Sequence, residues 1–219
     1  MADLGCKQTE EETMTTAEMP SRDARKIVEA VNLLLSEGGI DSHERLKVVK
    51  NLWAADRFSL RRFAQTITNP YYVAMKNGPV ASYALRLIKQ DKLASGADLE
   101  LWRNSFETRG REIYPIAEIG TSALSLVDQQ MLLKAASTFR GLERFDMANN
   151  VSHAYPEWSD HKSVFSENPY TSVPIDNLRF FDNPSFDPYF SEDPEILDAA
   201  RETYAEKIEV AQETGLALV

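Results

Sequence analysis

The stretch Tyr72-Val73-Ala74-Met75-Lys76-Asn77-Gly78-Pro79-Val80-Ala81-Ser82 constrains this chain more than any other. Val73 and Met75 alternate with small or charged neighbours, the period-2 pattern of a half-buried strand. Asn77-Gly78 is a turn signal, because both residue types tolerate positive φ. Pro79 has a fixed φ and no N–H, which suits a first helical position. The segment therefore predicts a strand, an abrupt turn and a helix opening at Pro79, with Tyr83, Leu87 and Ile88 on its inner face. A turn at a helix start can offer N–H groups to an anion, but Pro79 removes one of them. Lys76 and Ser82, at the edges, are the expected partner contacts, and the turn itself is expected to be scaffold.

A length of 219 residues, 43% of them hydrophobic, fits one ordinary domain with attached tails. No apolar run approaches the roughly 18 residues that span a bilayer. The acidic, polar N-terminus does not read as a signal peptide. The one cysteine, Cys6, excludes a disulfide framework and a thiolate metal cluster. A cytoplasmic protein with no membrane partner is the expectation.

The net charge of −10 is unevenly placed. Residues 1–20 carry Asp3, Glu10, Glu11, Glu12 and Glu18 against Lys7, and residues 155–219 carry 14 acids against 4 bases. The middle is mildly basic, with Arg45, Lys47, Lys50, Arg57, Arg61 and Arg62 close together. Acidic ends around such a core argue against non-specific nucleic-acid binding. They read as solvated tails, with shielding of the basic face in cis as the sharper alternative.

Residues 1–20 are expected to form a disordered acidic tail. Ser21 caps a first helix carrying Ile27, Val31, Leu34 and Leu35, ended by Gly38-Gly39. Asp41 or Ser42 caps a second, with Glu44 completing a capping box and Leu46, Val49, Trp53 and Phe58 as its core stripe. A continuation or a new helix from Ser59 carries Leu60 and Phe63. Leu101–Phe106 and Glu112–Ile116 read as strands of a hairpin turning at Gly110. Ser125 and Asp128 form another capping box, opening a helix stopped at Gly141. Residues 164–192 hold too many prolines for long regular elements and too many aromatics, Phe180 and Phe181 among them, for a free linker. They should wrap over a surface, the chain's own or a partner's. Asp193-Pro194-Glu195 then opens a helix over residues 193–215.

Catalytic patterns are missing. His43, His153 and His161 do not share a helix face, and no His-Glu-x-x-His motif, P-loop, dinucleotide glycine fingerprint or Gly-x-Ser-x-Gly elbow occurs. No metal, no cofactor and no enzymatic activity are expected. Trp53 and Phe58 read as core residues, while Arg57, Arg61 and Arg62 are expected to face solvent or a partner. His153 and Trp158 read as a packed imidazole and indole.

The run Lys50-Asn51-Leu52-Trp53-Ala54-Ala55-Asp56-Arg57, then Leu60-Arg61-Arg62-Phe63, Ile67-Thr68 and Tyr72 through Ser82 resembles the Panacea domain of SocA-like antitoxins. Leu126-Val127-Asp128 and the ending His153-x-Tyr-Pro-x-Trp158 resemble it too, so the likeness covers about residues 42–160. Within it Tyr72, Met75, Gly78, Pro79, His153 and Trp158 are structural motif positions. Where the family often has Gly after the Leu-x-x-Phe step, this chain has Ala64-Gln65. The resemblance implies an antitoxin that neutralises a cognate protein toxin by direct binding, with no catalytic residues. It implies as alternative an adaptor that presents a toxin to an ATP-dependent protease, for which the apolar Leu216-Ala217-Leu218-Val219 is a tag. Arg57, Arg61, Lys76, Ser82, Phe180 and Phe181 are the expected partner-binding residues.

The expected fold is α+β and predominantly α-helical: a helical domain over residues 21–163 with one small antiparallel sheet, built from the Tyr71–Met75 strand and the hairpin near 101–116.

Overall fold

The computed structural model describes residues 21–36, 39–68 and 70–215. The expectations for the acidic tail, Cys6, Gly38 and the apolar end 216–219 lie outside these residues. Among the described residues the fold is α+β and predominantly helical, with two small antiparallel sheets of three and two strands.

Helix α2 (Arg45–Phe63) organises everything else. Every residue from Lys47 to Arg61 on it is buried, so apolar periodicity alone cannot describe it. Around it lie α1 (Arg22–Leu35), the hairpin β1 (Tyr72–Met75) and β2 (Gly78–Ala81), and α3 (Ser82–Lys89). Next in the chain come α4 (Gly96–Ser105), the hairpin β3 (Phe106–Arg109) and β4 (Glu112–Pro115), and α5 (Leu126–Thr138). The chain continues through α6 (Arg144–Asp146), which runs into a π turn at Met147–Val151, then α7 (Pro156–Ser159) and α8 (Lys162–Glu167). The two-residue β5 (Val173–Pro174), a 3-10 turn at Asn177–Phe181 and α9 (Pro194–Thr214) complete it. Ser21 caps α1 and Asp193 caps α9, as their sequence signals predict. Ser125 and Asp128 form the expected reciprocal capping box of α5.

Four local expectations are corrected. Pro79 does not open a helix: residues 78–81 pair back on β1, with Met75 opposite Gly78, and α3 starts at Ser82. A β2 position is open to Pro79 because its missing N–H is not needed at a strand on the sheet's edge. Leu101–Phe106 is not a strand. Ser95 Oγ accepts the Asp98 N–H and starts α4, placing Leu99 and Trp102 inward three residues apart. The expected single sheet is two, because β1 takes β2 and β5 as neighbours and leaves the 106–115 hairpin to itself. The cap of α2 is Glu44, whose carboxylate accepts from Leu46 N at 2.7 Å, while Ser42 Oγ accepts the Glu44 N–H.

The segment between α8 and α9 closes over the chain's own core. Phe180, Phe181 and Phe190 are buried, and Phe190 sits against Trp53, Phe58, Phe139 and Tyr155, with ring centroids 4.5–5.7 Å away.

Candidate functional site

Two groups of polar side chains meet around α2, and only one of them reaches the surface. The first is internal. Asp56 accepts from Ile67 N, Thr68 N at 3.2 Å, Thr68 Oγ1 and Tyr72 OH at 2.6 Å, which fixes the chain that leads from α2 into β1. Burial raises the Asp56 carboxyl above the usual carboxylate range, and these hydrogen bonds oppose that rise. Arg57 Nη1 donates to both oxygens of Glu157, at 2.8 and 2.7 Å, and Trp53 Nε1 donates to the same carboxylate at 3.1 Å. Arg57 Nη2 and all of Arg61 turn to the wrapping segment. Arg57 donates to Asp182 O, and Arg61 donates to Phe190 O, Phe180 O and Asn183 Oδ1. Burial, helped by the neighbouring Arg57 charge, lowers the Arg61 guanidinium to about 10.

The expectation that Arg57 and Arg61 face solvent or a partner is therefore corrected: both are buried and bonded within the chain. Phe180 and Phe181 are core side chains for the same reason. Ser82 donates to Tyr71 O at 2.8 Å, locking the start of α3 to the start of β1.

The motif residues do converge. Lys50 Nζ donates to Pro79 O at 2.9 Å, and Trp158 Nε1 donates to Met75 O at 2.7 Å, so both ends of the β1–β2 turn are held from behind. His153 stacks on Trp158 with ring centroids 3.4 Å apart. Burial, and then the Lys50 charge, lower the His153 imidazole to about 4, although the Lys76 backbone opposes this. Burial also pushes the Lys50 ammonium well below the usual lysine range. Gly78 has φ +102°, and a Cβ there would collide with Ser152 Oγ and Lys50 Nζ.

In front of this anchored turn lies the second group, an open groove of about 560 Å³. Its floor is aliphatic, from Leu46, Val49, Met75, Val80 and Leu85. Arg45, Lys76, Lys89 and Arg111 stand on its rim. Arg111 is brought there because Arg45 N donates to Arg111 O at 2.8 Å and Ile113 N to His43 O at 2.9 Å, which docks the β3–β4 hairpin on the start of α2. One acid lines the groove, Glu44, which is engaged with Leu46 N and stands 3.7 Å from Arg144. Two rings complete the site, Phe145 at 48% exposure and Tyr170 at 94%.

Of the expected partner contacts, Lys76 lines the groove and Ser82 does not; Met75, expected as a structural motif position, also lines it. Sequence reading missed Lys89, Arg111, Arg144, Phe145 and Tyr170 as groove residues. They are scattered over the chain, and no spacing links them. One signal for the buried cations was present: Lys50, Arg57 and Arg61 fall on the same stretch as Trp53, Phe58 and Leu60 in a helix with no polar face left over.

The groove is basic and apolar-floored with exposed rings, and among the described residues no cluster of three His, Cys, Asp or Glu is placed for a metal. A family model described as antitoxin SocA-like, Panacea domain, matches residues 48–159, half of the chain, and the chain belongs to that family. No curated protein and no solved structure matches it. The matched region contains α2 from Val48 onward, the anchored turn and most of the groove, and it ends before Tyr170 and the wrapping segment. No described helix is long and apolar enough to cross a membrane.

Proposed function

We propose that this protein is an antitoxin that neutralises a partner toxin by binding it directly, and that the groove beside the β1–β2 turn is the contact surface. Membership of an antitoxin family supports the role. The observation that carries the site is the combination of rim cations that have no carboxylate partner among the described residues with the exposed rings of Phe145 and Tyr170 around one aliphatic floor. Arginine and aromatic side chains that lose water together dominate protein–protein affinity, whereas isolated surface charges contribute little. Neutralisation then needs no chemistry: the toxin is occluded and left covalently unchanged.

The test is co-purification with the product of the neighbouring gene, followed by titration of the toxin's activity with this protein. Activity is expected to vanish near one equivalent, with the toxin's mass unaltered. Full toxin activity at stoichiometric excess overturns the reading.

A further inference from the structure

We infer that the groove seats an acidic segment of a protein partner, one that carries carboxylates along its backbone and inserts an apolar side chain into the aliphatic floor; the inference rests on the antitoxin reading above. Arg45, Lys76, Lys89 and Arg111 line the groove, and among the described residues none has a carboxylate within ion-pair distance. Glu44, the acid of the lining, is already held by Leu46 N and faces Arg144. The site therefore carries local positive charge in a chain whose net charge is −10. At physiological salt the long-range repulsion of an acidic partner is screened beyond about 8 Å, and the local rim decides the sign of the contact.

The arrangement fits spaced carboxylates better than one phosphate cluster. The cations come singly from the start of α2, the β1–β2 turn, the end of α3 and the β3–β4 turn. A phosphate nest instead gathers successive backbone N–H groups at one point. Here Pro79 lacks the donor that follows Gly78. The floor of five aliphatic side chains gives an inserted leucine or phenylalanine an apolar seat, which a purely electrostatic contact would not use.

The probe is a short fluorescein-labelled peptide alternating Glu with Leu and Phe, titrated into the full-length protein by fluorescence anisotropy. Two control peptides replace Glu by Lys, or Leu and Phe by Ser. The acidic apolar peptide is expected to bind at least ~10-fold tighter than either control, a difference of about 1.4 kcal/mol, and to weaken as salt rises. Lys89→Glu with Arg111→Glu should abolish that preference, and because both side chains are exposed the melting temperature should hold. Equal binding of the controls overturns the inference. So does displacement of the peptide by ATP or pyrophosphate at lower concentrations than by unlabelled peptide, which would make the site a phosphate site. A marked rise in affinity on deleting residues 1–20 also overturns it, because the occupant would then be the chain's own acidic segment. If the charge-reversed protein is folded, has lost the peptide and still neutralises toxin, the groove inference fails and the antitoxin reading stands. If the unaltered protein binds the peptide but neutralises no toxin, the antitoxin reading fails and the groove chemistry stands.

Discussion

Arg57 and Glu157 form a completely inaccessible ion pair, one guanidinium nitrogen meeting both carboxylate oxygens at 2.8 and 2.7 Å. The pair joins the centre of α2 to α7, and the other end of the guanidinium reaches Asp182 O in the wrapping segment. Burial raises the Glu157 carboxyl, and the Arg57 charge opposes that rise. A cation that reads as a surface feature in sequence is thus the point where three parts of the chain are tied together.

Removing one partner should cost more than removing both. Glu157→Leu leaves the Arg57 charge buried and uncompensated, and should destabilise the protein by about 3–5 kcal/mol. The double change Arg57→Met with Glu157→Leu should recover part of that loss, because two apolar side chains strand no charge. Urea denaturation of the two single variants and the double variant measures the coupling. A double variant as unstable as the sum of the singles would contradict compensation.

Gly78 is required on two counts, its φ of +102° and the closeness of Lys50 Nζ and Ser152 Oγ. Gly78→Ala should therefore cost about 2–4 kcal/mol, combining left-handed strain with overpacking. Gly110 also has a positive φ, but a Cβ there meets nothing within 4 Å. Gly110→Ala should cost only about 1 kcal/mol, the strain alone. Thermal melts of the two variants give the comparison, and equal losses would rule out the steric half of the argument.

These residues also show what sequence could reveal. The capping box at Ser125 and Asp128, the Pro-opened α9 and the Gly110 turn were legible because each is encoded within a few residues. The Asn77-Gly78-Pro79 turn was legible as a turn but misread as a helix start, because Pro79 suits a helix opening and an edge strand equally, and strand pairing decides. Arg57 and Arg61 were misread because their partners, Glu157, Phe180, Asn183 and Phe190, lie at least 100 residues away. Of the groove residues only Lys76 was expected as a contact, since the walls are assembled by folding from distant parts of the chain.

Two non-glycine residues close helices in the left-handed region, Ala64 and Gln90, each at φ 53°. The two sites should respond differently to glycine. Gln90→Gly relieves the strain and loses a bond from Arg103 Nε at an exposed site, so a gain of about 0.5–1 kcal/mol is expected. Ala64 is 2% exposed, and losing its methyl forfeits about 0.8 kcal/mol of burial, so Ala64→Gly should be close to neutral. Chemical denaturation of each variant decides, and a clear stabilisation at Ala64 would show that its methyl contributes little.

The core extends past the family-matched region, which ends at residue 159, because Phe190 fills the space between Trp53, Phe58, Phe139 and Tyr155. Phe190→Ala should cost about 3–5 kcal/mol, the usual range for an aromatic removed from a core. A chain ending at residue 163 should lose cooperative melting and bind a hydrophobic dye. Cooperative unfolding of that fragment at the parent temperature would show that residues 21–163 suffice.

The stacked pair of His153 and Trp158 should make stability depend on pH in one direction. Burial and the Lys50 charge lower the imidazole to about 4, against an ordinary value of 6.5, and Lys162 of α8 adds to the effect. Between these values the unfolded chain binds a proton that the folded chain refuses, so stability falls as pH falls from 6.5 to about 4. Above 6.5 the group contributes no pH dependence. Asp56 and Glu157, whose carboxyls are raised, act with the opposite sign, gaining stability as they protonate. Asp98, lowered because its bonds from Tyr83 and Ser21 outweigh burial, loses its contribution only as pH falls below the ordinary 3.8. The comparison must therefore be differential. His153→Phe keeps a ring against Trp158 and removes the titration, so the difference in urea midpoint between variant and parent should widen in the variant's favour from pH 7 to about pH 4.5. Parallel profiles would mean that the imidazole protonates within the fold, displacing the indole or the Lys50 ammonium to do so.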